Sequence, residues 1–280
     1  MKKFFLTAIA FMGLFAANPA KAQVVPDGDY YIVSLLNPNW LLSNSGSNPV
    51  DGSNVHLWHF DNTDGQRWTV RNIRDGWMTI RPINGQNKAI DNAGNVTANN
   101  NNITIWEVNG GLAQAWKPRM IFEDYCALHN AQDRKFVIDL PGGVLKDGNN
   151  IELFEFFATP NQMWRFVPVD KYPVKVEMDE NGNPILTDHT YYCVNGENLM
   201  GLEFSETHTY TGKLRPEIHV CNRPIKWAVD SWNLTQPDTY NYENRKFQLL
   251  QFDWNGTVSP DGQTIIFDID GNKYTFHLVK

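Results

Sequence analysis

Apolar and polar residues alternate in short runs along most of this chain, and helical spacing is nearly absent. At 54–58, 102–106 and 150–154 the sequences NVHLW, NITIW and NIELF place an apolar side chain at every second position. A period of two is the mark of a strand, and it turns Val55, Leu57 and their equivalents to one face. Before each run stands a second apolar strand entering a glycine turn: WLLSNSG, KAIDNAG or FVIDLPG. Before that again, DYYIV, GWMTI and DYCAL each read as an opening strand.

A triplet ends each series. QRW at 66–68, QAW at 114–116 and QMW at 162–164 lie 48 residues apart, each tryptophan ten residues after an aromatic: Trp58, Trp106 or Phe154. Each unit of about 48 residues therefore offers roughly four short strands joined by Asn-, Gly- and Pro-rich turns. One such unit cannot bury its apolar face alone. Three units with little spare sequence predict closure around a shared axis rather than an open stack.

Three QxW triplets in this register resemble the ricin-type β-trefoil lectin module, also described as a carbohydrate-binding module, over residues 27 to 169. The resemblance implies that Trp68, Trp116 and Trp164 fill the shared core, and that each glutamine supports the loop beside it. It also implies that a sugar site is built from an Asp in the first turn, an aromatic thirteen to fifteen residues later and an Asn directly before the glutamine, a set for which each unit can be tested. The chemistry suits sugars: a carboxylate accepts from two hydroxyls, an aromatic face covers the C–H side of a pyranose, and an amide both donates and accepts. The third unit carries the full set, with Asp139, Phe154 and Asn161 beside Gln162, and with Glu152 where the family often has Gln. The second unit is a weaker site, with Asp91, Thr104, Trp106 and Gln114 but Ala113 in place of the Asn. The first keeps Trp58 and His56 but has Ser43 and Gly65 at the Asp and Asn positions.

The N-terminus changes the setting. Lys2 and Lys3, an apolar run from Phe4 to Ala17 and the small-x-small site 20–22 read as a cleaved signal peptide spanning 1–22. The expected mature chain is soluble, periplasmic or extracellular, with no integral membrane segment. Its formal charge moves from −7 to −10 as Lys2, Lys3 and Lys21 leave. An acidic chain without a basic patch is a poor partner for nucleic acid. Ten Trp, ten Tyr and sixteen Phe suit both β-structure and sugar stacking.

After residue 169 the period stops. The expected division is a signal at 1–22, a β-trefoil at 23–169 and a β-rich domain, sandwich or open barrel, at 170–280. MDENGNPIL reads as strand–turn–strand, and the last 27 residues read as hairpins turning at SPDG and DIDGN, with Ile265, Phe267 and Ile269 on one face. DIDGN has its glycine at the fourth position, not the sixth of a calcium loop, so no metal is expected there. A Cys193–Cys221 disulfide is open to an exported chain, and an odd count leaves Cys126 as a buried thiol. His189, His208, His219 and His277, with Cys193, Cys221, Glu203 and Glu206, supply the types for hydrolysis without a recognisable signature. The all-β chain is therefore expected to bind a glycan or polysaccharide, with no cofactor and no catalytic residue assigned. The alternatives are a lectin-enzyme with glycosidase or cysteine-peptidase-like chemistry in its C-terminal domain, and a trefoil scaffold that binds protein.

Overall fold

A computed structural model of the chain describes residues 25–280 apart from 197, 209–213, 225–235, 239 and 251–252. The expected signal at 1–22 lies outside the described residues. The first unit comprises β1 (Gly28–Ser34), β2 (Trp40–Asn44), β3 (Val55–His59) and β4 (Arg67–Arg74). The second comprises β5 (Trp77–Pro82), β6 (Lys88–Asn92), β7 (Asn101–Glu107) and β8 (Trp116–Phe122). The third has β9 (Tyr125–Asn130), β10 (Phe136–Asp139), a third strand broken into β11 (Asn149–Asn150) and β12 (Glu152–Glu155), and β13 (Trp164–Pro168). Between its second and third strands, each unit turns on a glycine of positive φ: Gly46, Gly94 and Gly142, at 72°, 64° and 61°.

Closure comes from pairing across units. β1 runs antiparallel to β13 with Tyr30 opposite Pro168 and Ser34 opposite Trp164, joining the first unit to the third. Val55, Leu57, Ile103, Ile105, Ile151 and Leu153 all point into one core, as the alternation predicts. Trp68, Trp116 and Trp164 are fully buried in it. Their indole N–H groups donate to Leu42 O, Ile90 O and Ile138 O, at 3.0, 3.1 and 3.1 Å, in each case 26 residues earlier. Each indole thus ties the last strand of a unit to its second strand while filling the centre.

Two cyclic sets of hydrogen bonds join the units. Asn54 Nδ2 donates to Asn150 Oδ1, Asn150 Nδ2 to Asn102 Oδ1 and Asn102 Nδ2 to Asn54 Oδ1, each at 2.9 Å. The first residue of each NVHLW-type run thereby forms a closed ring of amides. The loops repeat the idea: Asp51 accepts from the Glu107 amide, Asn99 from that of Glu155 and Asp147 from that of His59. Each unit holds the next.

Among the described residues the second sheet has nine antiparallel strands. They are β14 (Thr190–Asn195), β15 (Asn198–His208), β16 (Leu214–Pro224), β17 (Gln236–Asp238), β18 (Tyr240–Glu243), β19 (Lys246–Leu249), β20 (Trp254–Val258), β21 (Thr264–Ile269) and β22 (Asn272–Leu278). Their order in space is β17-β16-β15-β14-β22-β21-β20-β19-β18. The sheet curls until Phe204 of β15 packs edge-on against Tyr240 and Phe247, 5.3 and 5.5 Å between centroids. Ile265, Phe267 and Ile269 face this core together. The DIDGN turn is a two-residue hairpin with Asp270 and Gly271 both at positive φ, 52° and 79°. MDENGNPIL differs from expectation. It is a turn closed by a single bridge, Met178 to Pro184, with Asp179 accepting from the Asn181 and Asn183 amides. Those bonds satisfy the local backbone without a strand partner.

The two sheets share a third core, in which Leu35, Phe122, Tyr125 and Met163 of the trefoil meet Tyr192 and Leu199 of the second sheet. Buried Arg165 pairs with Asp124 at 2.6 Å and also donates to Val279 O. Lys280 reaches Glu123 at 2.7 Å. Arg165 is the buried member of its pair, and without Asp124 and Val279 O its guanidinium would be left buried and uncompensated.

Candidate functional site

In the third unit the chain places two carboxyl groups face to face. Asp139 ends β10, Glu152 begins β12, and the two are directly opposite in the ladder. Opposite residues share a face, and the other face, with Ile138 and Leu153, belongs to the core. Asp139 is 4% exposed and Glu152 8%. Burial pushes the Asp139 carboxyl up to about 6, against the pull of bonds from Gln162 and Asn161. Burial, and then the Asp139 charge, likewise raise Glu152.

Asn161 Nδ2 donates to Asp139 Oδ1 at 3.0 Å and to Leu140 O at 2.9 Å, so the amide and the first carboxylate form one polar wall. Phe154, two residues after Glu152, lies on the same face and is half-buried. Sequence reasoning missed its neighbour Phe157, which is 59% exposed with its ring 6.2 Å from Phe154 at 53°. The FEFF run at 154–157 was the available signal. Gln162, grouped with the sugar contacts by resemblance, is buried; Nε2 donates to Glu155 O and Oε1 accepts from the Phe157 amide. It holds the loop that carries Phe157.

The same frame recurs with other chemistry. In the second unit Asp91 stands opposite Thr104, and burial raises the Asp91 carboxyl while a Gln114 bond lowers it. Gln114 clamps its loop through Glu107 O and the Asn109 amide. Trp106 is 46% exposed, but buried Ala113 offers no amide. In the first unit Ser43 stands opposite His56. The Trp58 ring is stacked 5.2 Å from His56 and 6.0 Å from His59, and His59 Nδ1 lies 2.8 Å from Asp147. Desolvation lowers the His56 pKa, favouring a neutral ring. One architectural position thus holds Asp with Glu, Asp with Thr, or Ser with His.

The hydrolytic candidates fall elsewhere. Cys193 is a free, buried thiol whose pKa desolvation pushes up to about 11, away from the thiolate a nucleophile needs. It packs with Tyr191 and Phe276 in the second core, while His277 stands opposite Tyr192; both Cys193 and His277 reach the lining of one small cavity, with no hydrogen bond between them. The Cys193–Cys221 disulfide is corrected too. β15 lies between the two strands, so the Cα atoms are two spacings apart, ~10 Å, beyond the reach of a disulfide. Cys126 is buried and free, as expected. Glu203 on β15 stands opposite Thr190; the side chains of Glu206, His208, His219 and Cys221 lie outside the described residues. Among the described residues no cluster of three or more His, Cys, Asp or Glu could hold a metal, and no helix is long and apolar enough to cross a membrane.

Residues 21–106 match the family described as ricin-type beta-trefoil lectin domain-like. That match covers the first unit and most of the second, up to Trp106 in β7, and it supports a carbohydrate-binding role for the N-terminal part of the chain. Among solved structures, the chain is similar to a designed 3-fold symmetric protein, ThreeFoil: 24% identity, TM-score 0.49, covering 51% of this chain and 100% of that one. It is also similar to the Rhizoctonia solani agglutinin, with 18% identity, TM-score 0.47, and 51% and 96% covered. A ricin B-like lectin from Macrolepiota procera, solved in complex with lactose, gives 16% identity, TM-score 0.41, and 52% and 99% covered. No curated protein matches the sequence.

Proposed function

We propose that this is an exported carbohydrate-binding protein whose principal sugar site is the third trefoil unit. In this reading residues 1–22 direct export, residues 23–169 form the sugar-binding domain and residues 170–280 a second β-domain. Asp139 and Glu152 accept from sugar hydroxyls, Asn161 contributes its amide, Phe154 and Phe157 cover the apolar face, and Gln162 positions the loop. The observation that carries the reading is the direct opposition of Asp139 and Glu152 beside Asn161 and two phenylalanines. Hydrogen bonds to a charged acceptor contribute about 1.5–3 kcal/mol each. Asp91, Thr104 and Trp106, braced by Gln114, form a weaker second site on the same plan.

A glycan array probed with the wild-type chain and with Asp139→Ala tests this. The substitution is expected to remove the array signal and leave the melting temperature within a few degrees, because Asn161 keeps its bond to Leu140 O. Unchanged binding by Asp139→Ala would reassign the site. Silence of the wild-type chain on the whole array would favour the scaffold alternative.

A further inference from the structure

The second domain carries a cavity of about 820 Å³ on the outer face of its curled sheet. Its floor is an in-register row: Asn241 stands opposite Gln248, Gln248 opposite Asn255, Asn255 opposite Asp268 and Asp268 opposite Lys273. Five strands at the usual spacing make this row ~19 Å long. Beside it Ile266, 40% exposed, presents an apolar patch in the middle of the floor. A solvated face is the common fate of an antiparallel sheet, but this one holds a cavity and is rich in amides. The hydrogen bonds along it are long: 3.5 Å from Asn241 to Gln248, 3.2 Å from Gln248 to Asp253 and 3.5 Å from Asn255 to Asp253 O. Bonds of that length leave most of the amides' capacity for another partner.

The row does not stop at β22. Lys273 also lines a second cavity, of about 360 Å³, which continues past His277 to Leu36 of the trefoil. The His277 Nδ1 is buried and has no partner among the described residues. Leu36 in turn abuts the third unit: a methyl added at Gly143 would lie 3.4 Å from Leu36 Cδ1 and 3.7 Å from Asn161 Cβ. The polar floor therefore leads from the far edge of the second sheet to the margin of the Asp139 site.

We infer that this face is a binding trough for an extended, uncharged polysaccharide chain. The charges decide the class of occupant. Glu243 and Asp268 are balanced by Lys246 and Lys273 along the cavity wall, which favours neither a polyanion nor a basic peptide. Asn, Gln and Thr side chains match hydroxyls that both donate and accept, and a chain of repeating polyols suits a row repeated strand by strand. The trough does not depend on the third-unit site.

Affinity electrophoresis of the full chain through gels containing soluble glucan, mannan, galactan or xylan tests the inference. The Gln248→Ala/Asn255→Ala/Asp268→Ala chain is expected to lose at least tenfold in affinity for the polysaccharide that retards the wild type. It should keep its melting temperature and its glycan-array signal, because the three side chains lie outside both cores. Asp139→Ala should show the reverse: array binding lost, retardation by the polymer retained. Hydrogen exchange with the retarding polymer present should slow in 246–249 and 254–257. Equal retardation of wild type and triple variant, or no retardation by any of the four polymers, overturns the trough, whatever the array shows.

Discussion

At the scale of single residues, Asp139 decides how the proposed site responds to pH. Its folded pKa of about 6 lies above that of the unfolded chain, ~4. The folded protein therefore holds this proton to higher pH. The contribution to stability is full below about pH 4 and is lost as pH rises through about 6. Sugar binding at the proposed site should run the other way, because the ionised carboxylate is the stronger acceptor of hydroxyl hydrogen bonds. Affinity measured by calorimetry should fall as the pH is lowered through about 6, and Asp139→Asn should flatten that profile. Glu152, raised for the same reasons and facing Asp139, will broaden the transition, since coupled carboxyls titrate as a pair. Phe157→Ala should weaken sugar binding several-fold without moving the melting temperature, given its exposure. The grouping of Asp139, Phe154 and Asn161 in the proposed site could be read from the repeat, which sets their spacing. Phe157 could not, since the equivalent positions hold Asp61 and Asn109 and the repeat gives no reason to look there.

At the scale of elements, the alternation of Val55, Leu57 and their equivalents predicted which face each third strand buries, and the indoles of Trp68, Trp116 and Trp164 lie where a shared core requires them. The sequence did not disclose the bonds between units. An Asn opening NVHLW reads as a turn residue in isolation; only the three-fold arrangement brings Asn54, Asn102 and Asn150 within 2.9 Å of one another. Asn102→Ala removes one donor and one acceptor from that ring and leaves two amides short of a partner. The expected cost is about 1–3 kcal/mol, visible in urea unfolding as a lower midpoint at unchanged slope. The DIDGN turn, by contrast, was legible because its geometry is local: two consecutive residues of positive φ need Asp-Gly or its like.

At the scale of the whole molecule, Tyr125 and Tyr192 meet across the seam at 6.2 Å, within a core shared by both sheets. The two sheets should therefore melt together, and scanning calorimetry is expected to show one transition with equal calorimetric and van't Hoff enthalpies. A chain ending at residue 169 would expose Leu35, Phe122 and Met163 and should self-associate in gel filtration. The order of the second sheet was not readable from its hairpins, because β14 pairs with β22 across some 80 residues of chain. The same pairing sets a schedule. In the trefoil β1 waits for β13, and in the second sheet β14 waits for β22. Neither ladder can be completed while the ribosome is still making its last strand. Folding that closes this late leaves the seams of both sheets open until the strands that complete them have emerged.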